Sequence, residues 1–299
     1  MTAPRQVLPG ECYLVTRRCT QRQFLLRPCV LTNQVVRYCF AVAIERTGVD
    51  VHCLCVLSNH YHAVVSDPCG RLPEFLELLH KLIAKALNTA LGRWENFWSS
   101  EPTSAVRLLT SRDVLDKMAY TVANPVVAGL VKSPSEWPGV RAARWGARDV
   151  VEMPGIFFDE EGDLPHEVEL CYQRPGIRPE MNDDQLSQSL QELAARRVRD
   201  ARQAMRERGQ QFLGVDGVLQ QSQTARPKTN EPRRKLSPRI ACSSTPRRVR
   251  ALRQLQAFLE EYRVARLRWS GGRRQVCFPA GTYGLRVHHG VRCQPAVPS

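Results

Sequence analysis

Alternating and helically spaced apolar positions predict most of the first half of the chain. Residues 1–10 read as a loose arm. Glu11 to Cys19 (E-C-Y-L-V-T-R-R-C) alternates loosely and reads as a strand whose polar edge carries Thr16, Arg17 and Arg18. From Leu31 to Thr47, Val35, Val36, Phe40, Val42, Ala43 and Ile44 recur at helical spacing, with Thr32 or Asn33 as cap and Gly48 as stop. Val51 to Leu57 reads as a buried strand, Ser58-Asn59 as a turn, and His60 to Val65 as its hairpin partner. Leu72 to Leu91 is the clearest amphipathic helix, ended by Gly92, and Ser104 to Leu109 reads as another strand. The order β-α-β-β-α-β predicts an α+β, ferredoxin-like antiparallel sheet with both helices on one face and the other face free to hold a site.

Past that unit the pattern predicts a helix from Thr110 to Asn124, capped by Ser111 and ended by Asn124-Pro125, because proline disfavours helix in the residue before it. Residues 150–175 are acidic and read as irregular, and Met181 to Gly209 reads as a helix with a basic second half. Ser222 to Pro246 has the composition of a linker, and Arg247 to Trp269 is helical again. The expected division is a catalytic domain at 1–150, an acidic loop and helical extension at 151–222, a basic linker at 223–246, and a basic helix and tail at 247–299. F-P-A-G-T-Y and H-H-G-V-R-C near the end read as two short strands or loops packed together, with His288 and His289 pointing opposite ways on a strand and so a poor metal pair.

Composition changes this picture mainly in its choice of partners. Forty-three Lys plus Arg against 29 Asp plus Glu give a formal charge of +14, which favours nucleic acid as partner. The eleven cysteines include no C-x-x-C pair, so a zinc ribbon is not expected. No apolar run is long enough to span a membrane, and no basic-then-apolar leader opens the chain. The expectation is a soluble, cytoplasmic protein with reduced thiols.

Chemistry concentrates in Ser58-Asn59-His60-Tyr61-His62. Strand side chains repeat every two residues, so His60 and His62 project from one face, and two neutral imidazoles hold a divalent cation if a third ligand comes from elsewhere. Tyr120 and Asn124, four apart on the third helix, share a face away from the apolar stripe of Val114, Leu115, Met118 and Val122. Asn124 offers an amide oxygen suited to Mg²⁺ or Mn²⁺. A cation there would polarise a phosphate and orient it for attack by the phenol of Tyr120. His52, Cys53 and Cys55 read as structural, and Tyr13, Tyr38 and Tyr172 as weaker rivals of Tyr120. Arg17, Arg18 and Arg22 are candidate DNA contacts. Trp94, Phe97 and Trp98 are either base-stacking groups or, as the favoured reading, plugs at the end of the core.

H-Y-H after a hydrophobic strand, followed by Y-T-V-A-N-P-V-V-A-G-L-V, resembles the single-tyrosine HUH transposases, and within them the REP-associated tyrosine transposases. The E-C-Y-L-V-T-R-R-C strand and the S-x-E-W-P segment are of the same type, and the resemblance covers roughly residues 10–145. It implies the ferredoxin-like fold and a metal-dependent (Mg²⁺ or Mn²⁺) single-strand DNA endonuclease and strand transferase acting on hairpin-containing DNA. It further implies metal ligands His60, His62 and Asn124, and Tyr120 as the nucleophile that forms a 5′-phosphotyrosine. The long tail favours a monomer over a homodimer. The alternative is a domesticated, non-cleaving DNA-binding protein that recognises folded repeats. An RNA-binding module of RRM type shares the sheet topology, but histidines stand where stacking aromatics would be expected.

Overall fold

The first strand of the chain becomes the centre of its sheet. In the computed structural model, which describes residues 4–157, 162–228 and 238–296, the chain runs β1 (Glu11–Arg18), α1 (Val30–Thr47), β2 (Asp50–Leu57), β3 (His60–Asp67), α2 (Leu72–Ala90), β4 (Ser104–Leu108) and α3 (Ser111–Val127). It continues with β5 (Arg141–Ala142), β6 (Arg148–Glu152), β7 (Glu167–Cys171), α4 (Asp183–Glu207), α5 (Gly214–Gln220), β8 (Ile240–Ala241), α6 (Thr245–Ser270) and α7 (Gly284–His289). The main sheet has the order β5-β2-β3-β1-β4-β8. Its four central strands pair antiparallel throughout, which is the ferredoxin-like arrangement, and β8 adds in parallel beside β4.

Strand alternation divides the core in two. Tyr13, Val15, Val51, Leu54, Val56, Tyr61, Ala63 and Val65 face α1 and α2 and pack with Phe40, Phe75, Leu79 and Ile83. Cys53, Cys55, Leu57, Val64 and Leu108 face the other way, where α3 covers them and α4 lies on α3 through Leu186, Leu190, Ala194 and Val198. A bulge at His52 lets Val51 and Cys53 point to opposite faces. The His52 ring is buried there. Its Nδ1–H donates to the Gln173 carbonyl at 2.8 Å, and its Nε2 accepts from the Ser66 hydroxyl at 2.8 Å.

Two helix caps and one helix end differ from the sequence expectation. Cys29 caps α1, its Sγ accepting from the Thr32 N–H, while Thr32 and Asn33 lie inside the helix. Thr110 rather than Ser111 caps α3, accepting from the Asp113 N–H at 3.1 Å. Pro125 does not end α3, which continues to Val127. The local preference against helix before proline is outweighed because the extra turn buries Val126, beside Ala123, in a cluster with Trp137, Val198 and Val218.

The second half is tied to the first. Residues 150–175, read as irregular, contain β7 and the end of β6, a hairpin lying on α1, where the Tyr38 hydroxyl donates to the Pro165 carbonyl at 2.6 Å. Asp159, Glu160 and Glu161 lie outside the described residues, as do residues 229–237 of the basic linker. Two described parts of that segment are anchored: the Ala225 carbonyl accepts from the Phe24 N–H at 2.9 Å, and Ile240–Ala241 forms β8. His288 and His289 sit in α7, not on a strand, and the tail packs on the end of α6 through Phe278 and Val291. Among the described residues, no helix is long and apolar enough to cross a membrane.

Candidate active site

The site grows from one feature of β3: it begins directly after the Ser58-Asn59 turn, so its first residues lie at the open end of the sheet. His60 and His62 project together, with ring centroids 4.9 Å apart and planes at 84°. Tyr61 between them enters the opposite core, where its hydroxyl meets His80 Nε2 at 2.8 Å. The H-Y-H triplet thus divides between two environments by alternation alone.

Each histidine is braced at Nδ1. His60 Nδ1 lies 2.6 Å from Asn59 Oδ1, an acceptor, so the ring donates there and Nε2 carries the lone pair of the neutral form. His62 Nδ1 lies 2.7 Å from Thr16 Oγ1, and Thr16 is the β1 residue directly opposite His62. His62 is 6% exposed, and its Nε2 is buried with no hydrogen-bond partner. Burial, followed by the charges of His60 and Arg18, holds the His62 imidazole well below its ordinary value, so it is neutral at physiological pH. A buried, neutral imidazole with an orphaned Nε2 suits a metal ligand.

Helix α3 brings up the rest. The Tyr120 ring lies 5.2 Å from the His62 ring at 71°, and Asn124, one turn further along, is buried. The structure therefore gathers His60, His62 and Tyr120 at one place, with Asn124 on the same helix. Among the described residues, no group of three or more His, Cys, Asp or Glu gathers to hold a metal, and Asn124 brings an amide oxygen on the same helix as Tyr120. Cys55 is opposite His62 on β2, but burial pushes its thiol up to about 12, so it keeps its proton. The rival tyrosines lie elsewhere: Tyr13 and Tyr38 belong to the opposite core, and Tyr172 packs against it.

The arginine cluster separates. Arg18 is opposite His60 and exposed, and its charge reaches His62. Arg17 is opposite Tyr61 and points to the other side of the sheet; its guanidinium stacks 5.9 Å from the Trp98 ring and donates to the Glu101 carbonyl. Arg22 follows Gln21 in a left-handed turn, with φ of 60° and 48°. Phe97 and Trp98 are buried plugs, whereas Trp94 is 94% exposed. Thr16 and Asn59 were not assigned a role from the sequence. Thr16 stood out only as a polar residue on the edge of its strand, and nothing local revealed that it faces His62.

No protein-family model matches the chain, and no curated protein matches it. Among solved structures it is similar to a REP-associated tyrosine transposase bound to a REP hairpin, with 20% identity and a TM-score of 0.40 over 46% of this chain and 81% of that one. It is also similar to a transposase-like protein from Deinococcus radiodurans R1, with 15% identity and a TM-score of 0.28 over 36% of this chain and 85% of that one.

Proposed function

We propose that this chain is a metal-dependent single-strand DNA endonuclease and strand transferase that acts on hairpin-containing DNA through Tyr120. The observation that carries the reading is the meeting of the Tyr120 ring with the His60–His62 pair, one of whose nitrogens is neutral, buried and orphaned. It supports the sequence reading because the two motifs lie far apart along the chain.

His60 Nε2, His62 Nε2 and the Asn124 amide oxygen would hold the ion. When bound, it supplies Lewis-acid polarisation of the scissile phosphate. The Asn59 amide oxygen accepts from His60 Nδ1–H and leaves the Nε2 lone pair to the ion, and the Thr16 hydroxyl holds the His62 ring in place. The Tyr120 phenol oxygen attacks phosphorus, an Oη–P bond forms and the P–O3′ bond breaks. The phenolic proton passes to solvent, and the departing 3′ oxygen takes up a proton. One phosphodiester replaces another, so the 5′-phosphotyrosine is resolved by a second 3′-hydroxyl without nucleotide hydrolysis. The Arg18 side chain beside His60 and the basic α6 supply phosphate attraction.

The test is a hairpin oligonucleotide labelled at the 5′ end in one preparation and the 3′ end in another, incubated with Mn²⁺. A covalent adduct forms on the strand 3′ to the cut with the parent protein and is absent with Tyr120→Phe. Cleavage that persists in that variant rejects the assignment. Hairpin binding with no cleavage under any divalent cation gives the non-cleaving DNA-binding reading instead.

A further inference from the structure

On the far side of β1 from His62, at the edge where β4 meets β8, lies a cavity of about 270 Å³. Its walls come from three separated parts of the chain: the N-terminal arm, strands β1 and β4, and the C-terminal segment at Pro238–Ile240 and Leu255. Three arginines line it, Arg5, Arg107 and Arg239, and none of its described lining residues is acidic. The volume falls just under the usual range for whole small-molecule sites, which suits a single phosphate with part of its sugar.

The arginines are held rather than waving in solvent. The arm is fixed by the Val7 N–H to the Gly281 carbonyl at 3.0 Å and by Gln6 pairing with Thr282. Arg5 Nη2 donates to the Thr103 carbonyl at 2.7 Å, and Arg239 Nη1 to the Pro4 carbonyl at 2.9 Å. Arg107 projects from β4 opposite Tyr13 with its side chain 20% exposed. Its Nε lies 3.2 Å from Glu11 Oε2 yet lacks the alignment of a hydrogen bond, so that buried N–H is unsatisfied. Burial pulls the Arg5 guanidinium below its ordinary value; Tyr13 works against that, and the Arg239 charge adds to it. Guanidinium groups gathered and desolvated in this way are stabilised by an anion that offers several acceptor oxygens, and the planar fork matches phosphate.

We infer that this cavity is a phosphate-binding pocket, assembled only when the C-terminal segment docks on β4, and that it holds a backbone phosphate of the DNA strand on its way past the sheet edge. The identity of that strand rests on the proposed function; the pocket itself does not. Ser104, in the pocket wall, pairs with Thr16, and Thr16 braces His62. Two strand spacings, roughly 10 Å, therefore separate the backbones of the pocket wall and of the histidine strand. Arg107 shares the face of Tyr13, opposite that of the histidines, so a strand leaving the site rounds the β4–β8 edge to enter the pocket.

The experiment measures binding without cleavage, on full-length Tyr120→Phe protein, by fluorescence anisotropy of a labelled hairpin oligonucleotide with single-stranded flanks across a salt series. Arg5→Gln with Arg239→Gln removes two charges that are not part of the sheet. The expected result is roughly tenfold weaker binding and a salt dependence shallower by about one. In parallel, inorganic phosphate should raise the melting temperature of the parent but not of the double variant. Stabilisation by phosphate with unchanged DNA binding keeps the pocket and makes a free phosphate its occupant. Unchanged DNA affinity and salt slope, with no stabilisation by phosphate, overturns the inference. Loss of cleavage by the parent with these binding results intact counts against the proposed chemistry alone.

Discussion

The two faces of the sheet are made by the same strands and do opposite work. Under α1 and α2 the face is dry and aromatic, with Phe40 in edge-on contact with Tyr61 at 5.7 Å and with Phe75 at 6.2 Å. Under α3 the same strands present Thr16, His60 and His62, and the helix answers with Tyr120 and Asn124. Even the polar groups are treated differently. His80 on the first face is satisfied by Tyr61 and pushed down to about 3, by burial and then by Arg17, whereas His62 on the second keeps an orphaned nitrogen. A closed polar pair rigidifies a core, and an open one waits for a ligand.

Substitutions that touch one face and spare the other sharpen that contrast. The largest effect expected is from Tyr120→Phe, which lowers adduct formation by about a thousandfold or more while leaving urea unfolding unchanged. Phe40→Ala does the reverse: a loss of about 3–5 kcal/mol in unfolding free energy, with cleavage per folded molecule retained. If Phe40→Ala abolishes cleavage in protein shown to be folded, the two faces are not independent.

Thr16→Val is next. It removes the His62 brace and weakens Mn²⁺ binding, read by calorimetry, by about 10- to 100-fold, and Thr16→Ser restores it. Equal affinity in Thr16→Val would remove Thr16 from the site. The smallest effect is a pH slope. His80 and His52 are buried with their imidazoles held below the ordinary value, so the unfolded chain binds protons that the native one does not. The His80 contribution is whole above about pH 6.5 and lost as pH falls toward about 3, at about 1.4 kcal/mol per unit, and His52 acts in the same direction. Urea unfolding of metal-free protein between pH 7.5 and 4.5 measures it. His80→Gln should remove one proton's share, and an unchanged slope would show that His80 titrates normally.

The division between what was legible and what was not follows the range of the forces involved. Strand and helix periods are local, so the chain alone specified β1 to β4, the helices between them, and the shared face of His60 and His62. The amide and phenol of Asn124 and Tyr120 were visible for the same reason: four residues make one helical turn. Caps were less legible. A cysteine sulfur is a weak acceptor that capping rules pass over, and Pro125 stayed helical because of a tertiary contact. Only the folded chain decided that Thr16 faces His62, that Arg17 and Arg18 part company across the sheet, and that Arg5, Arg107 and Arg239 share one cavity. Those pairings depend on strand register and on the docking of distant segments, which no local pattern encodes.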